Sequence, residues 1–347
     1  MDILILSIFT IVVILSFMED YMQSWQKVLI LMTIGIALIA IATFKPMSTT
    51  DATTYEYYFY FNDNIIVELA TEPTYIYLSR LILSFGGEVV VLFFIYAILT
   101  IPLKLTALWK TTPYIFTAMI VYIGIYYPLQ DVVQIRCGLA SGFLLWALVP
   151  LSKKKYLKAF FLTLIATIFH YSSLAFIPVL LVGNIKITKN WKYILGATIP
   201  ICLALYIVNI SATSLIPASV IEGKLDLYKE TTERGGWEEY VPYKQIPFLA
   251  EFTLLYIFLY FYDTIEKHCE YAPIIVKILV FEMACMIVFA EIPVLGARLH
   301  ELFGIFNVIA YTCCMYCIKP KYVVRIGLAL FCLIFYFIQM NTHPYFG

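Results

Sequence analysis

Three of the five arginines in the sequence, Arg80, Arg136 and Arg298, stand beside long apolar runs. A cation near lipid is costly and needs an anionic partner. A guanidinium fork suits a carboxylate or a phosphate, and can hold either with two parallel hydrogen bonds. Between the second and third of these arginines, His170 interrupts an apolar run within FHYSS, 169–173. A neutral imidazole there can act as a base. Carboxylates that can share the work are Asp51 and Glu72, with Asp131 near Arg136 and Glu301 near Arg298. Cations, a histidine and carboxylates on one side of a membrane describe an anion site next to a base. Within a membrane the obvious anion is a lipid-linked phosphate or pyrophosphate.

Each of these residues also has a plainer reading. Arg136 can pair with Asp131 and close a helix end. Arg298 and Glu301 stand three apart, an easy pair on one helical face. His300, next to them, points elsewhere on that helix. Glu72 sits where a helix dipole favours a carboxylate. His170 can simply bond a backbone carbonyl at a helix break. Tyr55, with the tyrosines at 57, 58 and 60, can belong to an interfacial aromatic belt, or form a stacking platform for sugar rings.

The elements that must hold these groups are helices in lipid. Of the residues, 62% are hydrophobic and 13% charged, with a mean hydropathy of +0.88. A soluble domain carries about a quarter charged residues. Apolar runs fall at about 3–18, 28–44, 89–108, 113–130, 136–151, 157–183, 191–212, 246–263, 273–291, 298–317 and 322–340. They lack the alternation of a barrel, so the expected fold is all-α, a single integral membrane domain over 1–347. The first run has no cleavage pattern after it and reads as a retained span.

The run 157–183 is long for one span and has lysines on both flanks: Lys153, Lys154, Lys155 and Lys158 before, Lys186, Lys189 and Lys192 after. Cytoplasmic loops collect such residues. The run is therefore expected to be a re-entrant hairpin with His170 at its tip. Each arm of about 12 residues would reach roughly 18 Å. Backbone broken at that depth must line protein or water. About ten spans plus the hairpin then place both termini, the acidic segment 45–88 and the loop 213–245 outside; a single full span at 157–183 would flip half the chain. Within 45–88, residues 71–85 read as an interfacial helix, with Thr71 as cap, Pro73 in the first turn, and Tyr75, Leu78, Ile82 and Phe85 as its apolar stripe. Gly138 and Gly142 in GLASG let another helix approach.

A net charge of zero does not suggest nucleic acid. Of eight cysteines, all but Cys269 fall in apolar runs. They read as small packing residues rather than a metal set. Neither H-E-x-x-H, G-x-S-x-G nor a P-loop spacing occurs, which argues against zinc proteases, elbow-type serine hydrolases and NTPases.

The order Asp51 and Tyr55 (D-x-x-x-Y), EPTY (72–75), QIRCGLA (134–140), KKKYLK (153–158), FHYSSLAFIP (169–178) and RLHELF (298–303) resembles the EpsG/Wzy-like family of exopolysaccharide and O-antigen polymerases. The resemblance covers about residues 45–310. It implies a GT-C-like glycosyltransferase in the bacterial cytoplasmic membrane with its active site facing outward. Its donor and acceptor would be undecaprenyl-pyrophosphate-linked oligosaccharides. No cofactor or metal is implied, since positive side chains would stand at the leaving pyrophosphate. On this basis Arg136, Arg298 and Arg80 are expected to bind pyrophosphate, and His170, Glu72 or Asp51 to take the acceptor proton. Asp131, Glu301, His300, Gln134 and Tyr55 would support them. Membrane lipid and a chain-length regulator protein are the expected partners. A flippase for the same lipid-linked sugar and a membrane O-acyltransferase are the competing readings.

Overall fold

The computed structural model describes residues 2–209 and 241–342. The 213–245 loop, including Arg234, lies outside the described residues except for its last five. Among the described residues there are helices and no strand. Besides two short helices (Ile65–Ala70 and Tyr262–Glu266) and two 3₁₀ segments (Tyr171–Phe176 and Pro242–Lys244), they are, in chain order, α1 (Asp2–Met18), α2 (Ser24–Thr43), α3 (Ala52–Tyr60), α4 (Pro73–Ser84), α5 (Val89–Thr111), α6 (Ile115–Val133), α7 (Ile135–Ser152), α8 (Tyr156–Phe169), α9 (Ile177–Val182), α10 (Lys189–Ile207), α11 (Ile246–Tyr260), α12 (Ala272–Val288), α13 (Pro293–Gly304), α14 (Asn307–Cys317) and α15 (Lys321–Thr342).

Six of these, α2, α5, α6, α7, α10 and α15, are long and apolar enough to cross a membrane. The other apolar runs form shorter or broken helices. The run 298–317 breaks after Gly304 into α13 and α14. The chain is a polytopic membrane protein. Its outer faces agree, since Ile36 is 67% and Ile334 58% exposed, a surface that suits lipid rather than water.

The most enclosed helix is α6. It begins as an α-helix and widens into π-helical turns over Tyr122–Val133, with Pro128 inside. Proline cannot donate to the regular ladder, so the local winding changes. The change turns Gln130 and Asp131 into the interior, where Lys104 Nζ of α5 lies 2.7 Å from Gln130 Oε1 and 2.6 Å from Asp131 Oδ1. Helix α7 starts immediately afterwards. A Cβ at Gly138 would sit 2.2 Å from the Gln130 carbonyl oxygen, and one at Gly142 would sit 3.1 Å from Leu103 of α5. The two glycines thus let α7 close on two neighbours.

Residues 152–184 form an excursion that returns to its start. Helix α8 runs back along α7 and ends at His170, whose backbone is extended. A 3₁₀ segment (Tyr171–Phe176) and α9 bring the chain back. At the return, Asn184 Nδ2 donates to the Leu151 carbonyl. Lys277 Nζ of α12 donates to the carbonyls of Val182, Gly183 and Ile185 at 2.7, 2.9 and 2.5 Å. The far end is held by Phe169 stacked on Phe143, centroids 5.9 Å apart, and by Thr74 donating to the Ile168 carbonyl at 2.7 Å. His170 therefore stands at the same end of α7 as Arg136.

Helix α4 differs in detail from its expectation. Glu72 is the residue before the first turn, and the Thr71 hydroxyl donates to the Val67 carbonyl instead of capping. The buried face carries Tyr75, Ile76, Ser79 and Ile82, while Phe85 is 84% exposed. The reason is that α4 packs on α3, α5 and α8 together, which selects a wider face than one stripe.

Candidate active site

One cavity of about 180 Å³ is lined by Asp51, Tyr55, Glu72, Gln134, Arg136, Cys137, His170 and Arg298. These residues come from five separate parts of the chain. Their convergence follows from the local folds just described.

Arg136 occupies the first turn of α7. Residues two apart on a helix face roughly opposite ways, about 200° round. Gly138 faces Asp131, so Arg136 faces away from it, toward the cavity. The expected Arg136–Asp131 pair does not form. Asp131 instead accepts from Lys104 and from the Tyr122 hydroxyl at 2.5 Å, fully buried behind the site. Arg136 Nη1 donates to Glu72 Oε2, and its guanidinium carbon lies 5.5 and 5.7 Å from the ring centres of Tyr55 and Tyr75. Arg136 Nε is buried without a partner among the described residues.

Glu72 divides its two oxygens. Oε2 takes Arg136, and Oε1 lies 3.0 Å from His170 Nδ1. Burial pushes this carboxyl upward, but the His170 hydrogen bond and the Arg136 charge outweigh it and hold it at about 2. Glu72 is therefore a fixed anion and a poor base. It engages the Nδ1 side of His170 and leaves Nε2 as the nitrogen available to a substrate. This is the arrangement in which a carboxylate orients a catalytic imidazole.

Asp51 stands at the start of α3 in the left-handed region, φ 66°. Its carboxyl is pushed up by burial against the lowering pull of Arg136, Lys45 and Arg298. One turn on, Tyr55 is buried, and its carbonyl accepts from Tyr75 Oη at 2.5 Å. Lys45 was not anticipated from sequence, where it is simply the first residue of the acidic segment 45–88. It is buried, with Nζ 2.5 Å from the Val132 carbonyl and 4.1 Å from the centre of Phe93. Burial lowers its pKa to about 7, against the upward pull of Asp51.

Arg298 reaches the cavity from α13. Gln134 joins the two sides, since its Nε2 donates to Glu301 Oε2 at 2.7 Å. Glu301 thus supports the site through Gln134. His300, on the same helix, turns away: its Nε2 is 2.7 Å from Glu251 Oε2 of α11. Arg80 does not line the cavity. Its Nη2 pairs with Glu68 at 2.8 Å and Asp63 at 3.2 Å, and also donates to the Asn62 carbonyl at 3.0 Å. It tethers an exposed loop, because α4 turns position 80 away from the face that carries Tyr75.

Among the described residues, no group of three or more His, Cys, Asp and Glu side chains has the arrangement of a metal site. The donors that face the cavity are instead the guanidinium groups and an imidazole.

A helical membrane protein with two arginines and a carboxylate-oriented histidine in one cavity is the class of protein that these observations define. The particular family follows from comparison: residues 28–345 match the EpsG family model, and the chain belongs to that Wzy-like polymerase family. No curated protein and no solved structure matches the chain. Membership points to a polysaccharide polymerase with glycosyltransferase-like activity.

Proposed function

We propose that the chain joins undecaprenyl-pyrophosphate-linked oligosaccharide repeats at the outer face of a bacterial cytoplasmic membrane, building an exopolysaccharide or O-antigen-type chain. The observation that carries this reading is the single cavity holding Arg136 and Arg298 together with His170 oriented by Glu72. The growing chain is the donor and one lipid-linked repeat is the acceptor. His170 Nε2 takes the proton as the acceptor hydroxyl attacks the anomeric carbon. The bond from that carbon to the pyrophosphate oxygen breaks, and undecaprenyl pyrophosphate leaves against Arg136 and Arg298. Charge that grows during bond breaking is what such fixed donors stabilise most.

Of the three bases that the sequence left open, His170 fits best. Glu72 is held as an anion by Arg136 and His170 and is a poor base, and Asp51 lies within the field of Arg136, Lys45 and Arg298. The excursion 152–184 is read as re-entrant from the cytoplasmic side, within an arrangement of ten spans and both termini outside. It supports a fixed site because both of its ends are tied, by Asn184 and Lys277 at one and by Thr74 and Phe169 at the other.

The test is polymerisation by purified protein given undecaprenyl-pyrophosphate-linked repeats in EDTA. A ladder of lengthening glycan, lost in Arg136→Ala and Arg298→Ala, is expected. Lipid-linked sugar crossing a vesicle membrane without bond formation would overturn the polymerase in favour of a flippase.

A further inference from the structure

The end of α7 opposite to Arg136 is followed by lysines. The 18 residues of that helix rise about 27 Å, so the lysines stand toward the other membrane face from the candidate active site. Between the last turns of α7 and the first turns of α8 lies an open groove of about 490 Å³, against about 180 Å³ for the candidate active site. Lys153, Lys155 and Lys158 line it together with Trp146, Phe161 and Ile165, and its lining holds no carboxylate.

The turn between the two helices brings these lysines to one side. On a continuing helix, residues two apart face roughly opposite ways. Lys154 instead takes the left-handed region, φ 56°. Its N–H donates to the Leu151 carbonyl at 2.9 Å, and that of Lys155 to the Pro150 carbonyl at 2.8 Å. This is the helix ending that glycine usually closes. The reversal lets Lys153 and Lys155 share one groove, with Lys158 in the first turn of α8. A fourth lysine, Lys110 in the last turn of α5, lies 5.6 Å from the centre of the Trp146 ring. That ring is fixed, since its Nε1 donates to the Leu103 carbonyl at 2.8 Å. Among the described residues, none of these four lysines pairs with a carboxylate. Lys192 and Lys321, by contrast, pair with Asp263 and Asp20 at 2.6 and 3.3 Å. Like charges gathered without a counter-charge repel one another and favour an anion from outside the chain.

Beyond the lysines the surface turns apolar. Phe161, Ile165 and Ile168 follow at spacings of four and three on one face of α8, and all are exposed. From Lys158 to Ile168 the helix rises about 15 Å, half of a ~30 Å hydrocarbon core. A cationic rim followed by an apolar track one leaflet long matches a phospholipid, with its headgroup at the rim and an acyl chain along α8. A free phosphate would use only the rim.

We propose that this groove binds an anionic phospholipid of the leaflet opposite the active site. Lys153, Lys155 and Lys158 hold its phosphate, and one acyl chain lies along Phe161, Ile165 and Ile168. The bound lipid fastens the turn from which α8 runs back to His170. On the proposed topology the leaflet is the cytoplasmic one, where anionic headgroups attract clustered lysines. The site itself does not depend on the polymerase reading.

The test uses full-length protein in phosphatidylcholine vesicles, with brominated phosphatidylglycerol or brominated phosphatidylcholine added in increasing proportion. Bromine on an acyl chain quenches an indole that it touches. Wild type is expected to show a saturable quenching step at an about tenfold lower proportion of phosphatidylglycerol than of phosphatidylcholine. The step should vanish in Trp146→Phe, which locates it at the groove. Lys155→Gln should weaken the preference about fivefold, the equivalent of about 1 kcal/mol for one lysine at an anionic surface. Glutamine at 153, 155 and 158 together should abolish it, and arginine at all three should keep it. Equal quenching by the two lipids in wild type, a step that persists in Trp146→Phe, or a wild-type preference in the triple glutamine variant would overturn the site. Displacement of the brominated lipid by inorganic phosphate would overturn the phospholipid in favour of a free anion. Displacement by undecaprenyl pyrophosphate but not by unlabelled phosphatidylglycerol would overturn it in favour of the lipid-linked substrate.

Discussion

The protein contains two histidine–glutamate pairs, and their surroundings differ. His170–Glu72 shares its cavity with Arg136 and Arg298, and Lys45 lies close by. His300–Glu251 has Glu282 and Asn307 behind it and no lysine or arginine in its cavity lining. In the first pair the carboxylate is shared with a guanidinium, so the imidazole is left to work on something else. In the second the carboxylate accepts from His300 Nε2 and Asn307 Nδ2 at 2.7 and 2.9 Å. The same two side chains thus stand beside arginines in one place and in a setting without lysine or arginine in the other. What differs is the charge around them.

Removing a cation from the first pair should do the most damage. Arg136→Ala is expected to reduce polymerisation by about 10³-fold, the upper range for deleting one charge-stabilising donor. Arg136→Lys should not restore it, because an ammonium cannot reproduce a fork bonded to Glu72 between two tyrosine rings. A lysine variant with near-normal ladders in a membrane assay would show that only charge matters there.

His170→Gln should lower the rate by about 10²-fold while pyrophosphate still binds. Glu72→Gln tests the same pair through stability. The Glu72 carboxyl has an ordinary value of 4.5 and is held at about 2. Its pairing therefore contributes stability that is fully present above the ordinary value and is lost as pH falls through about 2. The variant should cost about 3 kcal/mol near neutral pH, as for breaking a buried pair. The gap to wild type in thermal unfolding should stay level from about pH 6 to 9 and narrow below about pH 4. A gap that instead opened or closed between about pH 6 and 8 would assign the effect to a histidine.

Glu251→Gln, in the second pair, weakens the bonds from His300 and Asn307 and should cost about 1–3 kcal/mol in thermal unfolding. A loss of polymerisation as large as that of Arg136→Ala, in protein that still folds, would instead place the second pair in the catalytic site. The smallest effect should come from Arg80→Ala. Arg80 is 40% exposed and pairs with exposed carboxylates, and such surface pairs contribute about 0–1 kcal/mol. Activity within about twofold of wild type is expected in the same membrane assay, which would separate Arg80 from the other two arginines.

Much of this was legible in the sequence. Long apolar runs with few charges specify membrane helices, because lipid offers backbone groups no partner and helices satisfy their own. The histidine inside an apolar run marked a break, and the lysines on both its flanks indicated a chain that turns back. Arg136, Arg298, His170, Glu72, Asp51, Gln134 and Tyr55 were all singled out, since polar groups in an apolar chain are few and expensive. The tertiary structure decided which of them meet. Asp131 and Arg136, five apart in sequence, are separated by the widened winding of α6 and the facing of Gly138. Glu72 and His170, 98 apart, are brought together because α8 runs back along α7 to the end where α4 begins. Glu251, Glu282 and Asn307 had no sequence signal, for each stands alone in its own apolar run. They meet only when α11, α12 and α14 pack together, since residues far apart in the chain become neighbours only once the helices are fixed.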